Sequence, residues 1–398
     1  MRLHRSTSEA VIQSLRLIFE ENRYADKVIE KVLKQNPRWG ARDRRFIAET
    51  TYDIVRWYRW FRELTQAKGT DFWKLLAAWC ILSDIDLPDW EEFQGVSKED
   101  VRDREKRTIY SRKIRESIPD WLDALGEQEL GKEKWELELS ALNEEAPVIL
   151  RTNTLKGKKE DLQQILRDAD IATTPLKEFP DALVLEERQN IFTSAAFKEG
   201  LFEVQDAGSQ AISPFLRIAP GMRVIDACAG AGGKTLHLAA LLNNKGRIVA
   251  LDTEEWKLEE LQKRARRAGV SNIESRVIES GKTIKRLTGS ADRLLLDVPC
   301  SGLGVLKRNP DAKWKLSLEF IDKVRELQQH ILRDYCDLLK PGGLMVYSTC
   351  SILPSENENQ IQKFLADKNG AFELVAEKYI FPTDGFDGFY MALVKRVS

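Results

Sequence analysis

Cysteine is scarce in this 398-residue chain, and the five present, at positions 80, 228, 300, 336 and 350, form no Cys-x-x-Cys pair. That odd, scattered set argues against a disulfide framework or a thiolate zinc site and fits reduced thiols. Histidine is scarcer: His4, His237 and His330 suggest neither a triad nor a metal site. Long apolar runs are missing too. The longest stretch, around Leu75 to Leu82, is far too short to span a bilayer. The segment from Met1 to Glu20 has no long apolar run, and Glu9 and Glu20 argue against a mitochondrial presequence. These absences predict a soluble, cytoplasmic protein with no membrane and no metal partner. Charge of one sign is also lacking, since 62 lysines and arginines face 63 acidic residues. Any nucleic-acid partner must therefore be met by local clusters. The remaining composition, 31% charged and 42% hydrophobic, is that of a globular chain long enough for two or three domains. There is no internal repeat or low-complexity segment.

What is present starts with helices. From Ser8 to Ala78 apolar residues recur at helical spacing, as in Ala10, Ile12, Leu15 and Ile18. Arg42, Arg44, Arg45, Arg56, Arg59 and Arg62 lie among Trp57, Tyr58, Trp60 and Phe61. Such a mixture can bind RNA phosphates and stacked bases, or simply drape arginine stems over a helical core. Lys98 to Arg115 is basic with acids interleaved, as in a solvated helix face or an RNA-facing patch. Helix continues to Pro147. Strands are then expected at 148–152, 182–185 and 201–204, with helices at 162–169 and 209–216, which makes a small α+β segment. From Arg223 on, strands and helices alternate, implying a doubly wound parallel sheet, with 372–375 and 389–394 as added edge strands.

The chain is organised around Gly221 to Thr235. A short strand ends at Asp226, a turn holding Gly230, Gly232 and Gly233 follows, and a helix begins near Thr235. Glycines let a backbone approach a nucleotide-like ligand closely. A second strand ends in Asp252, where a carboxylate can accept from ribose hydroxyls. A phosphate-binding P-loop requires glycine where Cys228 stands, so that reading fails. A dinucleotide site remains possible, an S-adenosylmethionine site fits better, and a ligand-free turn stays open on this motif alone.

Chemistry gathers at two later strand ends. One strand closes in Asp297-Val-Pro-Cys300-Ser, the other in Ser348-Thr-Cys350-Ser. Ligands bind outside the carboxyl ends of parallel strands, so both cysteines belong on the edge that holds the glycine turn. Carbon 5 of a pyrimidine is not nucleophilic, but a thiolate adding to carbon 6 makes it so. Asp297 can hold a cytosine edge, and a second thiol can assist elimination. The alternative is that both cysteines are small, inert core residues. Cys228 suits a backbone role, and Cys80 and Cys336 suit the core.

The runs Asp226-Ala-Cys-Ala-Gly-Ala-Gly-Gly-Lys-Thr, Asp297-Val-Pro-Cys-Ser-Gly and Ser348-Thr-Cys-Ser closely resemble the Sun/Fmu family of RNA (cytosine-5) methyltransferases. Asn309-Pro-Asp-Ala-Lys-Trp314, Pro354-Ser-Glu-Asn357 and Asp387-Gly-Phe-Tyr390 extend the likeness, as do Leu150-Arg-Thr-Asn153 and Val204-Gln-Asp206. The likeness is good over 145–398 and loose near 40–57. It implies an α/β fold: a Rossmann-like S-adenosylmethionine methyltransferase domain (220–398), an N-terminal all-helical NusB-like domain (1–140) and a small α+β, RRM-like subdomain (141–219). It implies Cys350 as nucleophile, Cys300 as an aid to product release, and Asp297 at both cytosine and cofactor. Cys228, Ala229, Gly230, Ala231, Gly232, Gly233, Lys234 and Asp252 would hold S-adenosylmethionine. Glu279 is aligned where the family has aspartate, and Gly230-Ala231 where it usually has Ala-Pro. The expected substrate is ribosomal RNA, met by a monomer, with Lys307, Arg308, Lys313 and Lys315 either holding its backbone or standing as solvated loop charges. Transfer RNA methylation or a non-catalytic RNA-binding or ribosome-assembly role are the alternatives. A DNA cytosine methyltransferase would use only the Pro-Cys cysteine, and an amino-group methyltransferase would carry Asp/Asn-Pro-Pro-Tyr, which is absent.

Overall fold

The computed structural model of the protein describes residues 3–398; Met1 and Arg2, where the expected helical domain begins, lie outside them. The chain divides into two compact units, one reaching to Glu144 and including Leu306–Leu318, the other formed by Glu145–Val305 and Glu319–Ser398.

The first unit is helical: α1 (Arg5–Phe19), α2 (Ala25–Gln35), α3 (Ala41–Arg56), α4 (Tyr58–Thr65), α5 (Phe72–Leu82), α6 (Lys98–Thr108), α7 (Asp120–Leu130) and α8 (Lys132–Leu142), with short helical turns between. Val11, Leu15 and Ile18 of α1, at helical spacing, are buried together with Ile47 and Ile54 of α3 and Leu75 and Leu76 of α5. Helix starts are capped where the sequence allows, as where Ser97 Oγ accepts from Asp100 N at 3.2 Å.

Into these helices packs Leu306–Leu318, a segment that follows the Cys300 loop in sequence. Trp314 packs against the helical core, and its indole N–H donates to Val55 O at 2.7 Å. Arg56 donates to Lys307 O at 2.8 Å, and Ala25 N to Asp311 Oδ2 at 3.1 Å. Lys313 is buried and donates to Asn143 Oδ1 at 3.1 Å.

The second unit holds two sheets. The smaller contains β1 (Ile149–Thr152), β2 (Thr173–Pro175), β3 (Ala182–Leu185) and β4 (Phe202–Val204) in the order β2-β3-β1-β4, all antiparallel, with helix α9 (Lys159–Asp168). The sequence did not reveal β2, a three-residue strand of Thr-Thr-Pro without apolar alternation. After α10 (Ala207–Phe215), the larger sheet begins with β5 (Arg223–Asp226), α11 (Gly233–Leu241), β6 (Arg247–Asp252), α12 (Glu255–Ala268), β7 (Ile273–Val277) and β8 (Ala291–Asp297). It is completed by α13 (Leu318–Tyr335), β9 (Leu339–Thr349), α14 (Glu358–Asp367), β10 (Phe372–Ile380) and β11 (Phe389–Arg396).

Its order is β10-β11-β9-β8-β5-β6-β7. The strands β5 to β9 pair in parallel, whereas β11 runs antiparallel to both neighbours. Alternate strand residues feed two cores. Ile225, Leu294, Leu296 and Tyr347 pack with Ile331 and Phe364, while Val224, Leu295 and Val346 pack with Ile212 and Leu238. A sheet covered on both faces needs such continuous apolar strands.

One expectation changes here: β11 is no edge strand but lies between β9 and β10. Its run Phe389-Tyr-Met-Ala-Leu-Val394 is buried throughout, the mark of a strand enclosed on both faces. The edge falls to β10, whose exposed positions include Glu373 and Glu377.

Lys313 supplies a stability test. Burial first, then the Arg56 charge, push its amine well below the usual lysine value, against an opposing pull from Glu116. The unfolded chain keeps that proton, so the folded state is penalised at neutral pH, and the penalty fades as pH climbs toward about 10.4. Lys313→Met, of similar volume, should exceed the parent in stability at pH 7 by about 1–3 kcal/mol. Urea unfolding at pH 7 and 9.5 should show that advantage shrinking; a constant difference would contradict a titrating buried amine.

Candidate active site

The chain runs β5, β6, β7 outward on one side and returns to β8 on the other side of β5, so the order reverses between β5 and β8. Parallel sheets bind ligands at such a switch point, and Asp226 and Asp297 close the two strands.

The glycine turn leaves β5 here. Asp226 is buried and accepts from Thr235 Oγ1 at 2.7 Å, tying the strand end to the first turn of α11. Gly232 takes φ +87° at the start of that helix, and a Cβ there would meet Leu261 Cγ at 2.6 Å, so the turn requires glycine. Gly230, at φ +52°, and Gly233 face open space where a Cβ would stand. The open space over these two glycines suits close approach of a ligand to the backbone. Asp252 accepts from Gly230 N and Glu254 N, both at 2.9 Å, which fixes its carboxylate while leaving lone pairs for ribose hydroxyls. Ala229 packs with Ala250 and Leu258, and Ala231 O accepts from Arg264 at 2.8 Å. The donor set and the open backbone fit S-adenosylmethionine. Cys228 lines the same turn; burial, then the charges of Asp226, Asp297 and Asp252, raise its thiol far above the ordinary value, leaving it neutral. Glu279, two residues past β7, is exposed.

At the next strand ends, Lys234 Nζ meets Asp297 Oδ2 at 2.6 Å, and Ser348 Oγ donates to Asp297 Oδ1 at 2.9 Å. Parallel register places Asp297 opposite Ser348. Burial opposes the charge on Lys234, but the charge and hydrogen bond of Asp297 outweigh it and hold the ammonium above its usual value. The sulfurs of Cys300 and Cys350 lie 3.1 Å apart, and Cys350 N donates to Cys300 Sγ at 3.3 Å. The Cys350 contact, then burial, then the charges of Cys350 and Glu356, raise the Cys300 thiol well above its ordinary value. Two thiols this close cannot both ionise easily, and Cys300 is the one held protonated. The other cysteines sit in the cores: Cys80 among the helices and Cys336 behind the sheet, with burial pushing Cys80 up to about 12.

Further residues take part that pattern alone did not single out. Arg151 of β1 donates to Gly233 O at 2.7 Å, and Glu203 of β4 accepts from Arg264 at 2.9 Å, so the small sheet braces the glycine turn. Asn153 Nδ2 donates to Gly200 O and Ala268 O, both at 2.8 Å. Asp206 Oδ1 accepts from Gly208 N at 2.7 Å and Asp387 N at 3.3 Å. Gly304 N donates to Cys350 O at 2.9 Å, and Gly388 N to Gly304 O at 2.7 Å; a Cβ on Gly304 would stand 2.2 Å from Gly388 O. Only the motifs Arg-Thr-Asn, Gln-Asp and Asp-Gly-Phe-Tyr signalled these contacts.

The basic residues expected to hold RNA need correction. Lys307 and Lys313 are buried, Lys307 against Glu144 at 3.3 Å, and Lys315 pairs with Asp311 and donates to Arg23 O at 2.8 Å. They are neither free cations at a site mouth nor solvated loop charges; they anchor Leu306–Leu318 among the helices. In the Lys98–Arg115 stretch, Arg102, Arg112 and Arg115 pair with Glu105, Asp123 and Glu116. Arg56 is buried in backbone contacts. Arg62 remains over the Tyr58 ring, 5.5 Å from its centroid.

A parallel sheet with a glycine turn after its first strand, an acid closing the second and open backbone over the turn defines a Rossmann-like, S-adenosylmethionine-dependent methyltransferase. Residues 214–395 match the model of the 16S rRNA methyltransferase RsmB/F family, and 118–192 that of the RsmF/B-like ferredoxin-like domain. The Probable ribosomal RNA small subunit methyltransferase B of Synechocystis is 33% identical over 392 residues, covering 89% of this chain and 87% of its own. A methyltransferase homolog from Pyrococcus horikoshii is 29% identical, with a TM-score of 0.64 over 72% of this chain and 98% of its own. The structure of PH0851, 24% identical, shares the fold over the full length of both chains with a TM-score of 0.84. The chain belongs to the RsmB/F family and is an S-adenosylmethionine-dependent RNA methyltransferase. Among the described residues, no helix is long and apolar enough to cross a membrane, and no group of three or more His, Cys, Asp or Glu could hold a metal ion.

Asp226 titrates in a useful range. Burial, aided by the Asp297 charge and opposed by the Thr235 hydrogen bond, pushes it up to about 7. The folded state thus favours the proton, and this contribution to stability is lost as pH rises through 7. Asp226→Asn, which mimics the neutral acid, should gain on the parent between pH 5 and pH 8, by about 2–3 kcal/mol. Melting curves at both pH values test this; an equal difference at each would contradict it.

Proposed function

We propose that this enzyme methylates carbon 5 of a cytosine in small-subunit ribosomal RNA through a covalent adduct with Cys350. The observation that carries the reading is the pair of thiols 3.1 Å apart at the ends of β8 and β9, beside the Lys234–Asp297 pair. Ribosomal RNA is supported by the relative from Synechocystis.

Cys228 to Lys234 with Asp252 would hold the cofactor, and Glu279 is a more distant candidate for its adenine edge. The bound cofactor supplies an electrophilic methyl group. Cys350 sulfur adds to carbon 6 of the base, and the electron pair displaced onto carbon 5 makes that carbon nucleophilic. Asp297, paired with Lys234, accepts from the cytosine amino group and is placed to lend a proton to ring nitrogen 3 as Cys350 adds and to take it back when the adduct collapses. Release needs the carbon-5 proton to leave, its electron pair to close the 5,6 double bond, and the carbon–sulfur bond to break toward Cys350. Cys300, held as a thiol 3.1 Å from Cys350, is placed to give its proton to the departing Cys350 sulfur, and the Cys300 thiolate so formed takes the carbon-5 proton and becomes a thiol again. The base must be unstacked to present its face to the thiolate.

The domain reading assigns 1–140 as NusB-like, 141–219 as RRM-like and 220–398 as catalytic, acting as a cytoplasmic monomer. A groove of about 380 Å³ lined by Tyr58, Arg62, Lys68 and Trp314 supports an RNA-contacting role for the helices, since arginine and aromatics can hold phosphate and base together.

Methyl transfer from labelled cofactor to RNA taken from cells lacking the protein tests the reading: label should appear as 5-methylcytosine in small-subunit RNA. Label in transfer RNA, or in another base, would overturn it. Cys350→Ala should abolish turnover, by more than about 10⁴-fold. Cys300→Ala should accumulate an RNA–protein adduct on denaturing gels, and free product at the parental rate from that variant would sink the two-cysteine assignment.

A further inference from the structure

The Pro354-Ser-Glu-Asn357 motif takes no direct part in that chemistry, yet it reaches both cysteine loops. Glu356 is fully buried. Its Oε2 accepts from Ser301 N at 2.8 Å and from Gln328 Nε2 at 3.1 Å. Its Oε1 accepts from Ser301 Oγ at 2.5 Å and from Ser351 Oγ at 2.6 Å. Ser301 and Ser351 each immediately follow one cysteine, and their hydroxyls lie 3.2 Å apart. The four donors are neutral, so the carboxylate is held by directed hydrogen bonds alone, a strong arrangement in a dry interior. The neighbouring residues hold Glu356 in turn. Tyr347 Oη donates to Glu356 O at 2.6 Å, Asn357 Nδ2 donates to Ser351 O at 3.0 Å, and Thr349 Oγ1 donates to Asn357 Oδ1 at 2.5 Å.

We propose that Glu356 is the positioning residue of the reaction: one carboxylate clamps the two cysteine loops through Ser301 and Ser351 and so sets the sulfur–sulfur contact needed for release. The inference rests on the two-cysteine reading above. The loops come from different strands, and among the described residues Glu356 is the side chain that accepts from both serines that follow the cysteines. Its negative charge also contributes to keeping Cys300 a thiol. Loss of the clamp lets each loop relax separately, which spoils proton handling at carbon 5 more than the initial attack by Cys350.

Glu356→Gln tests this, because the amide keeps the volume but cannot accept all four hydrogen bonds. In the full chain, kcat should fall about 10- to 100-fold, while KM for RNA and affinity for S-adenosylmethionine change less than about threefold. A covalent RNA–protein band should build up as it does for Cys300→Ala. Ser351→Ala, a smaller lesion that leaves Ser301 and Gln328 in place, should show a weaker form of the same pattern. If Glu356→Gln fails to fold by circular dichroism, Ser351→Ala alone decides. Parental kcat without adduct in the folded variants, or equal losses in kcat and cofactor affinity, would overturn the clamp. Cys300→Ala run in parallel separates the two levels. If it traps adduct while the Glu356 and Ser351 variants behave as the parent, only the clamp fails; if it traps none, the two-cysteine reading fails first.

Discussion

Parallel pairing of β5, β8 and β9 is the constraint on which the site depends. Its register sets Asp226 beside Leu295 and Asp297 beside Ser348, so three loops leave one edge of the sheet within reach of each other. The side chains that do the chemistry then need only short connections: the glycine turn after β5, Pro-Cys after β8 and Thr-Cys at the end of β9. β11, antiparallel beside β9, starts at that same edge and lets Gly388 meet Gly304, closing the backbone beneath both cysteines. A slip of one residue in any of these pairings would turn Asp297 or Cys350 to the opposite face.

Around this edge, charge is arranged so that few groups are free. Asp297 is satisfied by Lys234 and Ser348, Asp252 by two backbone amides, and Glu356 by serines and a glutamine. Buried carboxylates without such partners would be neutralised or expelled. Asp226 is the partial exception, with one oxygen bonded to Thr235 and the other unpartnered, and its acid is the one raised. The same economy governs the helical unit, where Arg56, Lys307 and Lys313 are drawn into packing rather than left for a ligand.

Much of this was readable in order along the chain. Strand and helix alternation after Arg223 came from apolar runs of the right length, and the strand-end positions of Asp297, Cys300 and Cys350 followed from those runs. The turn was legible because Gly232 and Asp252 carry local signals at fixed spacing. What escaped reading was long-range. Lys307 to Lys315 look like surface charges because their neighbours in sequence are polar, and only the helices around them make them interior. Arg151 and Glu203 brace a turn more than twenty residues further on, and no local pattern reveals that.

The sequence by itself determined the elements, the glycine turn and the residue types at each strand end, because helical and strand periodicity and the demand for φ > 0 are local properties. Only the tertiary structure decided which of those ends face each other, that β11 lies inside the sheet rather than at its edge, and that Leu306–Leu318 packs with helices far earlier in the chain. Those outcomes depend on strand order and on which apolar faces find each other, and such pairings join residues separated by 50 positions, as in Cys300 and Cys350.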